Sequence, residues 1–212
     1  MRDFEEIKRY WNDMQRVEHL GALSGCEYQG TIDFLEVTNL LKKGDKVLEI
    51  GVGLGYVTKG FRDNGMDVSA LDISENALER VKEYCEGTYS VAEIEKLPSD
   101  YFDVIICHNG IQHIPTYLLE KELPHIIRSL KPTGVFSLEF VSTTAAEDTG
   151  IEIERFINKS WDQNIGCYCR TPKYLEELIN RYGGKCKLVH DDNRLIEPTL
   201  PITGCHIFHV TK

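Results

Sequence analysis

Residues 47–57, "VLEIGVGLGYV", run an apolar strand straight into a turn with glycine at 51, 53 and 55. Glycine weakens a strand or a helix start, because its backbone loses the most freedom and no side chain is there to pack. The physical reason to accept that cost is close approach to the backbone where a Cβ would stand. A phosphate, a nucleoside or another part of the protein would each qualify, and the spacing narrows the choice. A dinucleotide fingerprint needs G-x-G-x-x-G, and Tyr56 holds the place of its third glycine. "GLGYVTKG" also lacks the Gly-Lys-Ser/Thr end of a P-loop.

Outward from the glycines, strand and helix patterns alternate. "YVTKGFRDNG" reads as a helix closed by Gly65, and "DVSALD" as the next strand. "SENALERVKEYC" opens on a serine cap and puts Ala77, Leu78, Val81 and Cys85 on one helical face. "TYSV" is a weak strand. "FDVIICHN" is a strong one, nearly continuous in apolar residues, as a central parallel strand should be. "TYLLEKELPHIIRSLKPTG" reads as a helix in which Pro124 predicts a kink or break near Leu123, and "VFSLEFV" as the strand after it.

Residues 142–170 break the rhythm as a polar, aromatic-containing insertion that fits no regular sheet element. After the helix "TPKYLEELINRYGG" come "KCKLVHDD" and "GCHIFHVTK", two strands with no helix between them, which should therefore pair antiparallel. Upstream, "TIDFLEVTNLLKKGD" reads as a helix stopped by Gly44, and residues 1–30 read as irregular. The expectation is an α/β fold: a doubly wound, Rossmann-like, seven-stranded sheet, mostly parallel, with an antiparallel C-terminal strand. Residues 1–30 would form an N-terminal cap segment, and 31–212 a single domain with a lid-like insertion at about 142–170.

Asp72 gives the glycines their meaning. It closes the second strand in "SALDIS". In a doubly wound sheet that position faces the mouth of the first strand-to-helix turn, where an acid can accept both hydroxyls of a ribose. Glycines and acid together imply a nucleoside without demanding a pyrophosphate.

At this point the sequence resembles the class I S-adenosylmethionine-dependent methyltransferases, from about Thr31 to Lys212. "VLEIGVGLG" is similar to that family's E/D-x-G-x-G-x-G motif through Glu49, Gly51, Gly53 and Gly55. "LDIS" resembles the second motif, which implies Asp72 on the ribose and Ile73 against the adenine. "VAEIEKLP" resembles the third, implying Glu93 near the adenine amino group, where Asp is more common, and backbone from Ile94. "FDVIICHNGIQHIP" resembles the fourth, whose strand end passes under the methionine portion, with His108 and Asn109 lining it. The resemblance implies S-adenosylmethionine as cofactor, S-adenosylhomocysteine as product and transfer to a small-molecule acceptor.

In-line methyl transfer depends first on orientation, worth roughly 7–11 kcal/mol. A general base is needed only where the acceptor must lose a proton early. His113, in "GIQHIP", is the first candidate, against a reading in which it only hydrogen-bonds the backbone. Glu139 faces either the acceptor pocket or a helix, and alternation alone does not decide it. Tyr10, Trp11 and Tyr28 are candidates to fold over the cofactor. Phe156, Trp161 and Tyr168 would line a lid, with Arg155 and Arg170 able to meet an acidic acceptor. The rival reading of the insertion is an amphipathic helix from about Ile151 to Asn164. Two other functions stand beside transfer: a non-catalytic cofactor-binding module, and a nicotinamide-dependent oxidoreductase, which Tyr56 and the antiparallel finish disfavour.

Composition sets the outer bounds. Of 212 residues, 34 are acidic against 24 Lys plus Arg, a net charge of −10 with no basic block, which argues against nucleic acid and anionic membrane as partners. "MRDFEEIKRYW" has no apolar core of a secretory signal, and runs such as "VIIC" are too short to span a bilayer. Seven scattered cysteines fit reduced thiols in a cytoplasmic protein. No metal set is expected: Cys167 and Cys169 lack nearby partners, and His206 and His209 should point to opposite strand faces.

Overall fold

The computed structural model describes residues 3–14, 40–108, 110–143, 151–153, 167–191, 195–197 and 202–212. Its centre is β1 (Lys46–Ile50), whose Val47, Leu48 and Ile50 are buried. β1 pairs in parallel with β2 (Asp67–Asp72) on one side and β4 (Phe102–Cys107) on the other. β3 (Gly87–Ser90) adds in parallel outside β2, and β5 (Leu130–Thr143) outside β4. β10 (Ile202–Thr211) runs antiparallel between β5 and β8 (Lys185–Asp191), so the order is β3-β2-β1-β4-β5-β10-β8. This is the expected seven-stranded path, with the short β9 (Leu195–Glu197) added beside β10.

Alternation along each strand decides what covers it. Leu48, Ile50, Ile105, Cys107, Phe136, Leu138, Phe208 and Val210 share one apolar core with α4 (Thr116–Ser129) and α5 (Pro172–Arg181). Val47, Val68, Val104 and Ile106 face the other way, onto Phe61 of α2 (Tyr56–Asp63). α3 (Glu75–Val81) seals the β1–β2 end through Ala77, Leu78 and Val81 against Val52 and Ala70. Thr171 caps α5 by accepting from the Tyr174 amide at 3.1 Å, with Pro172 at the first position as the sequence predicts.

Besides the helix expected to stop at Gly44, whose residues 31–39 lie outside the described residues and whose residues 40–44 are loop and turn, four expectations need correction. α4 runs unbroken through Pro124: Leu119, Leu123, Ile126 and Ile127 are all buried, and that stripe outweighs one missing backbone hydrogen bond. Part of the insertion is sheet, because β6 (Ile151–Ile153) pairs antiparallel with β7 (Cys167–Cys169), and β5 itself extends to Thr143. A helix therefore does not begin at Ile151, and residues 154–166, with Phe156 and Trp161, lie outside the described residues. Residues Phe4–Met14 form a helix, α1, rather than irregular chain. Its signal was present in "DFEE": the Glu6 amide donates to Asp3 Oδ1 at 2.9 Å and the Asp3 amide to Glu6 Oε2 at 3.2 Å, a reciprocal cap. The fourth, Arg170, belongs to the site below.

Candidate functional site

The parallel strands β3, β2, β1 and β4 all end at one edge of the sheet, and between β1 and β4 the chain switches direction of winding. A crevice opens at such a point. Its floor is the glycine turn. Gly51, Gly53 and Gly55 have φ of 78°, 53° and 81°, the left-handed region that side chains rarely occupy. Their jobs differ. A Cβ on Gly55 would stand 2.4 Å from Val81 Cγ1, so this glycine lets α3 pack against the turn. A Cβ on Gly51 would meet only the Gly110 Cα, at 3.9 Å, across the crevice.

The β2 side of the crevice is built from backbone donors. Asp72 is buried, with Oδ1 accepting from the Ser74 amide at 2.8 Å and Oδ2 from the Gly53 amide at 3.4 Å. Burial pushes its carboxyl up to about 6, against the pull of the amides of Ser74, Gly53, Val52 and Ile73. Glu49, on β1, accepts from the Thr58 hydroxyl at 2.6 Å. Burial raises it to about 8, opposed by that hydrogen bond and reinforced by the charge of Asp72. Two neighbouring buried carboxylates that no cation among the described residues balances are costly alone, and they suit a ligand bringing hydroxyl donors and positive charge.

The β4 side carries the histidines. His108 follows β4 and is nearly buried, its Nε2 3.1 Å from Ser137 Oγ. His113 ends a 3-10 turn, Ile111–His113, and its half-buried ring meets the Trp11 ring at 5.2 Å and 63°. On the far side of the crevice Asn12 of the same helix accepts at Oδ1 from the Ser74 hydroxyl at 2.9 Å and the Asn76 amide at 3.3 Å. α1 thus reaches from the start of α3 to the turn after β4. Ile73 is half-buried beside Asp72, and Ile94 is buried on the turn after β3. Glu93 points outward and pairs with Lys96. Asn109 and Tyr28 lie outside the described residues.

Residues 47–134 match the methyltransferase-domain family. That stretch resembles a methyltransferase domain. The chain is 32% identical over 113 residues to the malonyl-[acyl-carrier protein] O-methyltransferase of Enterobacter lignolyticus, covering 52% of this chain and 43% of that one. It is 31% identical over 146 residues to the ubiquinone biosynthesis O-methyltransferase of Coxiella burnetii, covering 62% and 59%. The chain spans about half the length of the curated relatives it matches. Its fold is shared with the 1,6-didemethyltoxoflavin-N1-methyltransferase of Burkholderia thailandensis, solved with 1,6-didemethyltoxoflavin and S-adenosylhomocysteine. That likeness has a TM-score of 0.61 at 16% identity, over 100% of this chain and 92% of that one.

Arg170 corrects the expectation that it meets an acceptor. It is 2% exposed, and its guanidinium donates to the carbonyls of Ile111 (3.2 Å), Tyr168 (3.1 Å) and Ile114 (2.6 Å) and to Thr116 Oγ1 (3.2 Å). It ties β7 to the turn that presents His113. Buried Glu122 sits in the same region, its carboxyl raised to about 8 by burial and drawn down by the Arg170 charge. Sequence reading missed Asn12 and Thr58 as well, since a single Asn on a helix or Thr on a first turn carries no motif.

Proposed function

We propose that this protein transfers a methyl group from S-adenosylmethionine to a small-molecule acceptor. The observation that carries the reading is the pair of buried carboxylates, Glu49 and Asp72, at a glycine turn held open in left-handed backbone. When bound, the cofactor supplies a methyl group already activated on a sulfonium. Asp72 accepts from the ribose hydroxyls, and Gly51, Gly53 and Gly55 let the nucleoside lie against the backbone. Ile73 packs on the adenine, while Glu93 and the Ile94 backbone meet its edge once Glu93 leaves Lys96. Glu49, His108 and Asn109 hold the methionine portion. His113, under Trp11, stands at the transfer end as the catalytic candidate. Residues 1–30 serve as a cap over the crevice and 142–170 as the wall or lid of the acceptor side.

The relatives named for small substrates and the net charge of −10 support a small acceptor over nucleic acid. Among the described residues no helix is long and apolar enough to cross a membrane. The free thiols of Cys85, Cys107 and Cys186 support a reducing, cytoplasmic setting.

Calorimetry with S-adenosylhomocysteine and with NAD tests the reading. The first should bind and raise the melting temperature, and the second should do neither; the opposite pattern overturns the proposal. The pH dependence has a definite sign. Both acids are raised above their ordinary 3.8 and 4.5, so the folded, unliganded protein holds their protons more tightly than the unfolded chain. Their contribution to stability is greatest below the ordinary carboxylate range and falls as pH rises toward about 8. Ligand affinity should run the other way, strengthening from pH 5.5 to 8 as the two acids ionise.

A further inference from the structure

Beyond the crevice, on the acceptor side, a second set of ionisable groups meets across three strands. Leu138 and Phe140 of β5 belong to the core under α4 and α5, so Ser137 and Glu139 face the other side of the sheet. There His108 Nδ1 lies 3.8 Å from Glu139 Oε2, while its Nε2 lies 3.1 Å from the Ser137 hydroxyl. His209 of β10 is directly across from Ser137, and Lys187 of β8 is across from His209. His206, by contrast, is on the opposite face, stacked on Phe140. Burial lowers the His108 imidazole, with the Glu139 charge pulling it back up; burial, Lys187 and His108 lower His209. In the neutral tautomer that suits both its neighbours, His108 directs Nδ1–H at the carboxylate and accepts from Ser137 at Nε2.

The position of this pair follows from the crevice. Asp72 stands on the β2 side, and the turn after β4 meets the glycine turn where a Cβ on Gly51 would lie 3.9 Å from Gly110. A nucleoside whose ribose is on Asp72 and whose chain crosses β1 ends at β4, beside His108. The next side chain outward is Glu139, 16% exposed.

We propose that Glu139, oriented by His108, is the proton acceptor for the methyl-transfer reaction and that the methyl acceptor reacts through a hydroxyl or an amine. The inference rests on the cofactor reading of the crevice. Transfer breaks the methyl–sulfur bond with its electron pair staying on sulfur, and forms the carbon–oxygen or carbon–nitrogen bond. The acceptor's proton passes to the Glu139 carboxylate and from there to solvent, so charge balances as the sulfonium becomes a neutral thioether. His108 is a positioning residue in this scheme: it fixes the carboxylate without taking the proton.

Sinefungin tests this without knowledge of the acceptor, because it carries a protonated amine where the sulfonium methyl stands. In Glu139→Gln, sinefungin should bind about tenfold or more weakly, while S-adenosylhomocysteine, which lacks that cation, stays within about twofold. Equal retention of both ligands overturns the proposal. A wild-type protein that binds neither ligand sinks the cofactor reading instead, so the two failures are distinct. Wild-type protein gives a second measurement that needs no variant. The cationic amine should lower the His108 titration, followed by its ring proton resonance, relative to the S-adenosylhomocysteine complex. Identical titration in the two complexes also overturns the proposal.

Discussion

The two flanks of the crevice are built from different materials. On the β2 flank the polar groups that define the site are backbone amides of residues 53 and 74 converging on one carboxylate, Asp72. Their placement depends on local dihedral angles, and glycine sets those. On the β5 flank, His108, Ser137, Glu139 and His209 come from three strands and meet only because the register aligns them. A backbone-built flank is rigid and local; a side-chain-built flank can be altered one residue at a time without touching the fold. That difference predicts how substitutions on each flank should behave.

The largest effect should come from the rigid flank. Gly55→Val places a branched side chain at φ 81° and drives its Cβ to within 2.4 Å of Val81. Left-handed strain costs roughly 1–3 kcal/mol, and forced overpacking roughly 1–3 kcal/mol more. Chemical denaturation should show a loss of about 2–6 kcal/mol by that reasoning, against almost none for Glu139→Gln. A Gly55→Val protein of unchanged stability would mean that the turn is soft and the contrast between the flanks is false.

Asp72→Ala should be intermediate, and its effect should fall on binding. It removes an acceptor of charge-assisted hydrogen bonds from ribose, which is worth roughly 1.5–3 kcal/mol, or about ten- to a hundredfold in cofactor affinity. It also relieves a carboxylate that burial already strains toward protonation, so melting should fall less than affinity does. A calorimetric affinity equal to wild type would reduce Asp72 to a helix-start residue that holds the Ser74 amide.

The same contrast explains what could be read from the chain alone. "VLEIGVGLG" and "LDIS" are local patterns, and the strand order β3-β2-β1-β4-β5-β10-β8 follows from helices alternating with strands and then ceasing to. Glu139 could not be assigned a side, because alternation gives two faces and only Leu138 and Phe140 packing under α4 and α5 chooses between them. Arg170 looked like a surface cation ready for an anion. Nothing in "CYCRTP" says that the carbonyls of Ile111 and Ile114, more than fifty residues earlier, will surround it. Pro124 misled for the opposite reason: a local rule about helices was overridden by tertiary packing of a buried stripe.

α1 joins the two flanks, and breaking that join should give the smallest effect and the sharpest one. Asn12 accepts from the Ser74 hydroxyl and the Asn76 amide, and its own carbonyl accepts from Asn76 Nδ2 at 2.9 Å. Lys8 adds a 2.6 Å ion pair to the largely exposed Glu75, which contributes little in water. At the other end of the same turn of helix, Trp11 rests on His113. Asn12→Ala removes two side-chain acceptor contacts in a part-buried setting, worth about 1 kcal/mol, and leaves Lys8 and Trp11 in place. If α1 is a cap, that loss should appear as faster release of S-adenosylhomocysteine, a few-fold at most, with melting of the unliganded protein nearly unchanged. If α1 is only a packing element, release stays at the wild-type rate and the melting temperature falls instead. Stopped-flow dissociation and a melting curve on the same preparation separate the two, because a cap is felt only when something lies beneath it.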